Sequence, residues 1–274
     1  MLYTLGLTPE QTTSHWLLER FDGTRFDLDM NAIPSTEYTA YFGDPANAVQ
    51  IAQLPLYRQS KVDNYWFEYL ETERTLYFQF NRCIEMGTLP FKRFNDTLFD
   101  FIDTHPVERL VVDMRDNGGG DSTLLVPFIT RIKAHPLNRQ GVLFVIVGRG
   151  TFSSAMLNAL KLVQETEATF VGEPTSGSPA HYGEMQRFIL PNSRMQVNYS
   201  TKYFPTSIYG MSEITIGDVL GAFGYSLPRF PVQASSECTF VPEVYVAPTG
   251  ADYAAGRDPV MEYILETILI ANEK

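Results

Sequence analysis

Hydrophobic positions in the middle of the chain alternate between short continuous runs and helically spaced stripes. Continuous runs indicate buried strands, whereas apolar residues at positions i, i+3, i+4 and i+7 indicate helices. The runs fall at 75–81, 110–114, 142–147 and 169–171, and the stripes fall at 91–104, 122–134, 153–165 and 258–271. This alternation predicts an α/β fold of βα repeats, with a parallel sheet and helices packed on its faces.

The two flanks of this region follow other patterns. Residues 1–60 are irregular apart from a hairpin predicted around Asp22–Gly23, with prolines at 34, 45 and 55. We interpret 1–60 as a partial N-terminal β/irregular region with a connector, and 61–274 as the core. After Gly183, apolar runs at 186–190 and 195–200 predict a β-rich C-terminal part.

Two turns rich in small residues follow neighbouring predicted strands. One is Asp113-Met-Arg-Asp-Asn-Gly-Gly-Gly120 and the other is Thr151-Phe-Ser-Ser-Ala155. Because ligands bind beyond the carboxyl ends of parallel strands, we expect both turns at one edge of the sheet. Glycine lets backbone N–H groups approach a ligand, and a serine at a helix start offers a hydroxyl nucleophile. The pair predicts acyl transfer with an oxyanion hole.

Within these turns, Ser153 is the predicted nucleophile, although serine is also an ordinary helix N-cap. The predicted oxyanion donors are the amide of Ser154 and that of either Gly118 or Gly119. The remaining polar residues have structural interpretations: an ion pair of Arg115 with its flanking acids, a turn-forming Asn117, and Asp121 as the N-cap of the helix at 122–134.

Together with Gly172-Glu-Pro-Thr175, these blocks resemble the catalytic core of the S41 serine peptidases, which include the C-terminal processing (tail-specific) proteases and the tricorn core. The resemblance runs from about 64 to about 265 and includes Tyr253-x-x-Gly-Arg-Asp-Pro259. It implies a ClpP/crotonase-like core that hydrolyses peptide bonds in a peptide or protein substrate. It implies neither a cofactor nor a metal, and it places Ser153 at the nucleophile.

The general base is left open. The processing proteases carry a lysine in a Thr-x-Gly-Lys motif, where this chain reads Thr175-Ser-Gly-Ser178. Ser178 cannot be a base at neutral pH and is assigned to substrate binding. Tricorn-type members use Ser-His-Glu, which makes Glu213 the candidate acidic partner, but their Asp-x-His-Thr-like motif is absent from this chain.

Three alternatives follow for the base. In the first, which we favour, the catalytic histidine precedes Met1 and this chain is a truncated, C-terminal piece of a longer protein. His181 could substitute, since imidazole is the commonest general base. The chain could also be an inactive module that binds a peptide or an apolar ligand. A crotonase-like acyl-CoA enzyme is disfavoured by the Thr-Phe-Ser-Ser block.

Charge and composition narrow the partners. A net charge of −11 disfavours nucleic acid, which requires a basic face. No apolar run reaches the ~20 residues of a membrane span, and no signal-peptide pattern is visible. Localisation stays undecided, since the family often works outside the cytoplasm. Cys83 and Cys238 lack metal-ligand spacing and are interpreted as small buried hydrophobes rather than a disulfide.

Overall fold

The computed structural model describes residues 6–20, 22–34, 37, 51, 53–178, 180–205 and 240–272. The chain divides into two compact units, Met1–Ile51 and Ala52–Lys274.

The first unit contains a β-hairpin. Strands β1 (Thr13–Glu19) and β2 (Arg25–Asn31) pair antiparallel, with His15 opposite Asp29. The turn is closed by a 2.8 Å hydrogen bond from the Arg20 amide to the Thr24 carbonyl. The Asp22 carboxylate accepts the Thr24 amide at 2.9 Å, as aspartate often does in turns. The hairpin predicted around Asp22–Gly23 is confirmed.

The second unit is built on a six-stranded sheet. The strands of this sheet are β3 (Tyr65–Leu70), β4 (Thr75–Phe80), β5 (Arg109–Asp113), β6 (Leu143–Val147), β7 (Thr169–Gly172) and β10 (Val244–Tyr245). Between β7 and β10 in the chain, β8 (Ala180–Ile189) and β9 (Gln196–Pro205) form a separate pair. The helices of this unit are α1 (Phe91–Thr104), α2 (Val126–Lys133), α3 (Ser154–Glu165), α4 (Gly250–Ala255) and α5 (Pro259–Asn272). The sheet order is β10-β7-β6-β5-β4-β3, with β3 antiparallel to β4 and the other pairs parallel. The predicted α/β class is confirmed.

Both faces of the sheet are buried. One face carries the larger hydrophobic cluster, which includes Val112 and Val145 with residues of α1, α2 and α3. The opposite face packs Val111 and Ile146 against α5. Because strands covered on both sides need apolar residues at every position, the central strands read as continuous hydrophobic runs.

The helix predicted at 122–134 begins later than expected. It starts at Val126, with Leu125 rather than Asp121 at its N-cap. The Asp121 carboxylate instead accepts the Thr123 amide at 2.8 Å and the Thr123 hydroxyl at 2.7 Å. The prediction of Asp121 as the N-cap is therefore wrong, because this local turn uses the carboxylate and holds residues 121–125 out of the helix.

Strands β8 and β9 form a separate two-stranded sheet. They are longer than the predicted runs at 186–190 and 195–200, since β8 begins at Ala180 and β9 continues to Pro205, where the two ends pair. The rings of Tyr182 and Tyr203 contact each other across the pair at a tilted angle, with centroids 4.8 Å apart. Both tyrosines are largely exposed, at 65% and 42%.

Candidate active site

The glycine turn after β5 and the Ser153 turn after β6 lie against each other at the carboxyl edge of the sheet. The Phe152 amide donates to the Asn117 carbonyl at 3.0 Å. The Thr151 hydroxyl donates to the Met114 carbonyl at 2.9 Å and ties the Ser153 turn to the end of β5. A Cβ built on Gly119 would lie 2.8 Å from the Cβ of Ser153, and the φ of Gly119 is +104°. Only glycine fits this position.

Ser153 has a backbone conformation that serine rarely adopts. It directly precedes α3 with φ 52° and ψ −124°. Residues held in such conformations cluster at active sites, where the surrounding structure maintains the strain. Its side chain does not cap the helix, and its hydroxyl has no hydrogen-bond partner among the described residues. The hydroxyl therefore stands free at the positive end of a helix dipole.

Ser154 uses its two polar groups differently. Its hydroxyl donates to the Gly120 carbonyl at 2.5 Å, and the residue is buried. Its amide belongs to the first residue of α3, where a helix offers no internal acceptor. The hydroxyl thus holds the two turns together, and the amide is left to face another group.

Asn117 organises the glycine turn. Its side chain is fully buried, its Oδ1 accepts the Gly119 amide at 2.9 Å, and its Nδ2 donates to the Phe80 carbonyl at 2.8 Å. The prediction that Asn117 serves the turn is confirmed. Within the described part of the chain the amide of Gly118 has no acceptor, whereas that of Gly119 is held by Asn117.

Cys83 contacts the side chain of Asn117. Its sulfur lies 3.6 Å from the Asn117 Oδ1 and 3.6 Å from the Asn158 Nδ2. Burial raises the pKa of the Cys83 thiol to about 12, so the thiol is not a nucleophile at neutral pH. Cys83 is a free, buried cysteine, as expected, and Cys238 lies outside the described residues.

The segment from Thr175 to His181 packs beside the Ser153 turn. A Cβ built on Gly177 would lie 3.0 Å from the ring of Phe152, the residue before Ser153. The Ser178 carbonyl accepts a hydrogen bond from Nδ1 of His181 at 3.0 Å, and the imidazole stacks on Phe204 at a centroid distance of 5.3 Å. Since Nδ1 carries the proton in this bond, Nε2 of a neutral His181 is an acceptor.

The structure does not complete a catalytic triad among the residues it describes. Ser153 and Ser154 lie against Gly119, and Gly177 lies against Phe152, which places the Ser178 segment beside the Ser153 turn. In that same part of the chain no hydrogen bond joins His181 to Ser153. Glu213, the candidate acidic partner, lies outside the described residues.

A buried ionic network lies under the glycine turn. Arg115 pairs with both carboxylate oxygens of Asp258, at 2.9 Å and 3.0 Å, and with Asp113 at 2.9 Å. The Tyr77 hydroxyl donates to Asp113 at 2.6 Å. The predicted structural ion pair of Arg115 is confirmed for Asp113, whereas Asp116 pairs with Lys61 at 2.5 Å. This network positions the turn that holds Gly118 and Gly119.

Several known structures are similar to this chain. The chain superposes on a crystal structure of a CPAF mutant with a TM-score of 0.51 and 10% identity, covering 95% of this chain and 68% of that one. It also matches a candidate peptidase from Parabacteroides merdae (TM-score 0.49, 15% identity, 97% and 80% covered). A third match is a candidate S41 protease from Bacteroides fragilis (TM-score 0.45, 13% identity, 96% and 68% covered).

At a TM-score of 0.51, the chain shares the fold of the CPAF mutant structure. No protein-family model matches the chain, and no curated protein does either. At these identities the likeness concerns the fold, and the chemistry of the site has to be argued from the residues themselves.

Sequence reasoning missed two supporting residues. Asp258 belongs to the segment Tyr253-x-x-Gly-Arg-Asp-Pro259, but its bond to Arg115, 143 residues away, has no local signal in the sequence. Asn158 is an apolar-face position of α3 whose amide contacts the Cys83 sulfur.

In the ranges the structure covers, no group of three or more His, Cys, Asp or Glu side chains could hold a metal ion. No helix there is long and apolar enough to cross a bilayer.

Proposed function

We propose that this protein is a serine-type peptidase with Ser153 as its nucleophile. The observation that carries the proposal is the conformation of Ser153, with φ 52° at the start of α3 and its side chain against Gly119. A strained turn of this kind exposes a hydroxyl at the end of a sheet, where a carbonyl carbon can approach it. The resemblance of the glycine turn and the Ser153 turn to the S41 peptidase motifs supports a peptide or protein substrate.

The glycine turn and α3 supply the oxyanion hole. The Ser154 amide is one donor, and the Gly118–Gly119 segment provides the second. Gly118 has a free amide among the described groups, and the Gly119 amide becomes available if it leaves Asn117. Such donors are effective because they are held in place before charge develops on the substrate oxygen.

His181 acts as the general base in this proposal. Ser153 Oγ attacks the carbonyl carbon and transfers its proton to Nε2 of His181, which then protonates the leaving amine. Water deacylates Ser153 by the same route in reverse. The hydrogen bond from Nδ1 to the Ser178 carbonyl supports this role, because it leaves Nε2 as the acceptor. Glu213 is the proposed acidic partner, as in tricorn-type members, and Ser178 is proposed to contact the substrate.

Labelling with a fluorophosphonate tests the proposal. Parent protein and the Ser154→Ala variant should both form an adduct that mass spectrometry locates on Ser153, and the Ser153→Ala variant should form none. Ser154→Ala is the matched control, since its hydroxyl is already bonded to the Gly120 carbonyl. An adduct that survives in Ser153→Ala and disappears in Ser154→Ala would move the nucleophile by one residue.

A second candidate function is a peptide-binding module without chemistry. It is favoured by the lack of a hydrogen bond from Ser153 to any described base and by the exposed aromatic rings on β8 and β9. This module would bind extended peptides without cleaving them. A folded parent protein that binds a peptide in fluorescence anisotropy, but neither hydrolyses it nor reacts with the fluorophosphonate, would support the module over the peptidase.

A further inference from the structure

A cavity of about 340 Å³ opens at the carboxyl ends of β6, β7 and β10, on the face of the sheet that α5 covers. Its apolar lining comes from Ile146, Val147, Val246 and Val260. Two tyrosines, Tyr57 and Tyr253, add aromatic walls. The volume falls in the range of small-ligand pockets, and the position is the usual ligand edge of an α/β sheet.

The aromatic walls are held in place by arginines. The guanidinium of Arg115 lies 4.4 Å from the ring centroid of Tyr57. The guanidinium of Arg58 lies 3.9 Å from the ring of Tyr253 and donates to the Tyr253 carbonyl at 3.1 Å. Cation–π contacts of this kind fix the ring planes. The cavity therefore has a preformed shape.

Every charged group that lines the cavity already has a partner in the protein. Arg149 bonds Glu173 at 2.9 Å, Asp116 bonds Lys61 at 2.5 Å, and Arg115 bonds Asp258 at 2.9 Å. The Arg115–Asp258 pair is buried, and a charged ligand that separated it would leave a buried charge without its partner, which costs free energy. The lining accordingly selects a neutral, apolar group.

The cavity is close to the Ser153 turn. Gly150 lines it and precedes Ser153 by three residues, so their Cα atoms are at most about 11 Å apart. An extended peptide advances ~3.3 Å per residue, which makes this distance equivalent to about three residues of substrate. Asp116, also on the wall, similarly lies two residues before Gly118.

We propose that this cavity is a specificity subsite that takes a large apolar or aromatic side chain of a peptide, from a residue within about three positions of the scissile bond. The subsite rests on the proposed peptidase function, because it assumes that a peptide lies across the Ser153 turn. It adds a substrate preference that the fold alone does not provide.

Matched peptides test the subsite. A reporter peptide is synthesised with either Phe or Ala at each position within four residues of the scissile bond, and kcat and KM are measured for each pair. At one position Phe should be favoured over Ala by ~10-fold or more in kcat/KM, mainly through KM. Val246→Phe fills the cavity and should bring that ratio close to one. Val62→Phe makes the same change at an 85% exposed position and should leave the ratio intact.

Further measurements separate the possible failures. Tyr253→Ala removes a wall from the other side and should also reduce the ratio, which covers the case that Val246→Phe does not fold. Hydrolysis with the Phe preference unchanged in both variants would overturn the subsite and leave the peptidase standing. Fluorescence anisotropy of the same peptides on Ser153→Ala reports binding without turnover. If these peptides bind with a Phe preference that Val246→Phe removes, and the parent protein hydrolyses none of them, the subsite is supported and the peptidase function is contradicted. No Phe preference in either assay would overturn the subsite.

Discussion

Gly119 leaves no room for a side chain beside Ser153. A Cβ would lie 2.8 Å from the Ser153 Cβ and 3.0 Å from the Ser154 amide nitrogen, and φ is +104°. We therefore expect Gly119→Ala to displace the nucleophile from the oxyanion donors and to lower kcat/KM by ~10²–10³. Gly118→Ala meets no atom within 4 Å and keeps its amide, so a smaller loss is expected.

Steady-state hydrolysis and the rate of fluorophosphonate labelling measure both glycine variants, with circular dichroism to verify the fold. Gly87→Ala, which also meets no atom within 4 Å, controls for the loss of a loop glycine. Parental turnover in a folded Gly119→Ala protein would mean that the glycine turn only ends a strand.

His181 offers a second comparison at the residue scale. His181→Gln keeps a polar side chain of similar length but cannot take a proton, so kcat should fall at least ~10²-fold. His105→Gln is the matched control, because His105 follows the last residue of α1, where it stacks on Phe101 with a centroid distance of 3.7 Å. Equal turnover in both variants would exclude His181 as the base.

At the scale of the element, the β1–β2 hairpin contains a histidine between two carboxylates. Nδ1 of His15 lies 2.7 Å from Asp29 and Nε2 lies 3.0 Å from Asp27. Hydrogen bonding to Asp29, and then to Asp27, raises the pKa of His15 above 6.5. Since the folded pKa exceeds the unfolded one, the stabilisation is complete below about pH 6.5 and disappears as the pH rises through the raised pKa.

NMR titration of the imidazole tests this hairpin. The pKa of His15 should lie above 6.5 in the parent and fall toward 6.5 in Asp29→Asn. Asp22→Asn removes the same charge from the same hairpin, but Asp22 bonds Thr24 rather than His15, so the pKa should stay raised. An unchanged pKa in Asp29→Asn would show that the carboxylate does not hold the imidazolium.

At the scale of the whole molecule, Arg115 joins the end of β5 to the start of α5. Arg115→Met would leave Asp113 and Asp258 buried without their cation, and we expect it to lower the free energy of unfolding by about 3–5 kcal/mol. Arg74→Met removes an exposed pair with Glu108 and should cost less than about 1 kcal/mol. Urea unfolding measures the free energy of unfolding of both variants. A loss in Arg115→Met as small as that in Arg74→Met would mean that the buried network adds no stability.

Much of the core could be predicted from local pattern. Strands β4 to β7 are continuous apolar runs because both faces of the sheet are covered. The glycine turn and the serine turn come together because they follow β5 and β6, which are parallel neighbours and end at the same edge of the sheet. The start of α2 was missed because the Asp121 carboxylate bonds Thr123 in a local turn, a choice that hydrophobic spacing does not report.

The sequence by itself determined the α/β class, the order of the elements and the two turns that carry the candidate chemistry, since periodicity and turn residues act over a few positions. Only the tertiary structure decided that Asn117 holds the Gly119 amide, that Asp258 neutralises Arg115, and that His181 donates its Nδ1 proton to Ser178. The physical reason is that side-chain orientation and pairing depend on groups that folding brings together. The pairing of Arg115 with Asp258 spans 143 residues, a separation that no local pattern encodes.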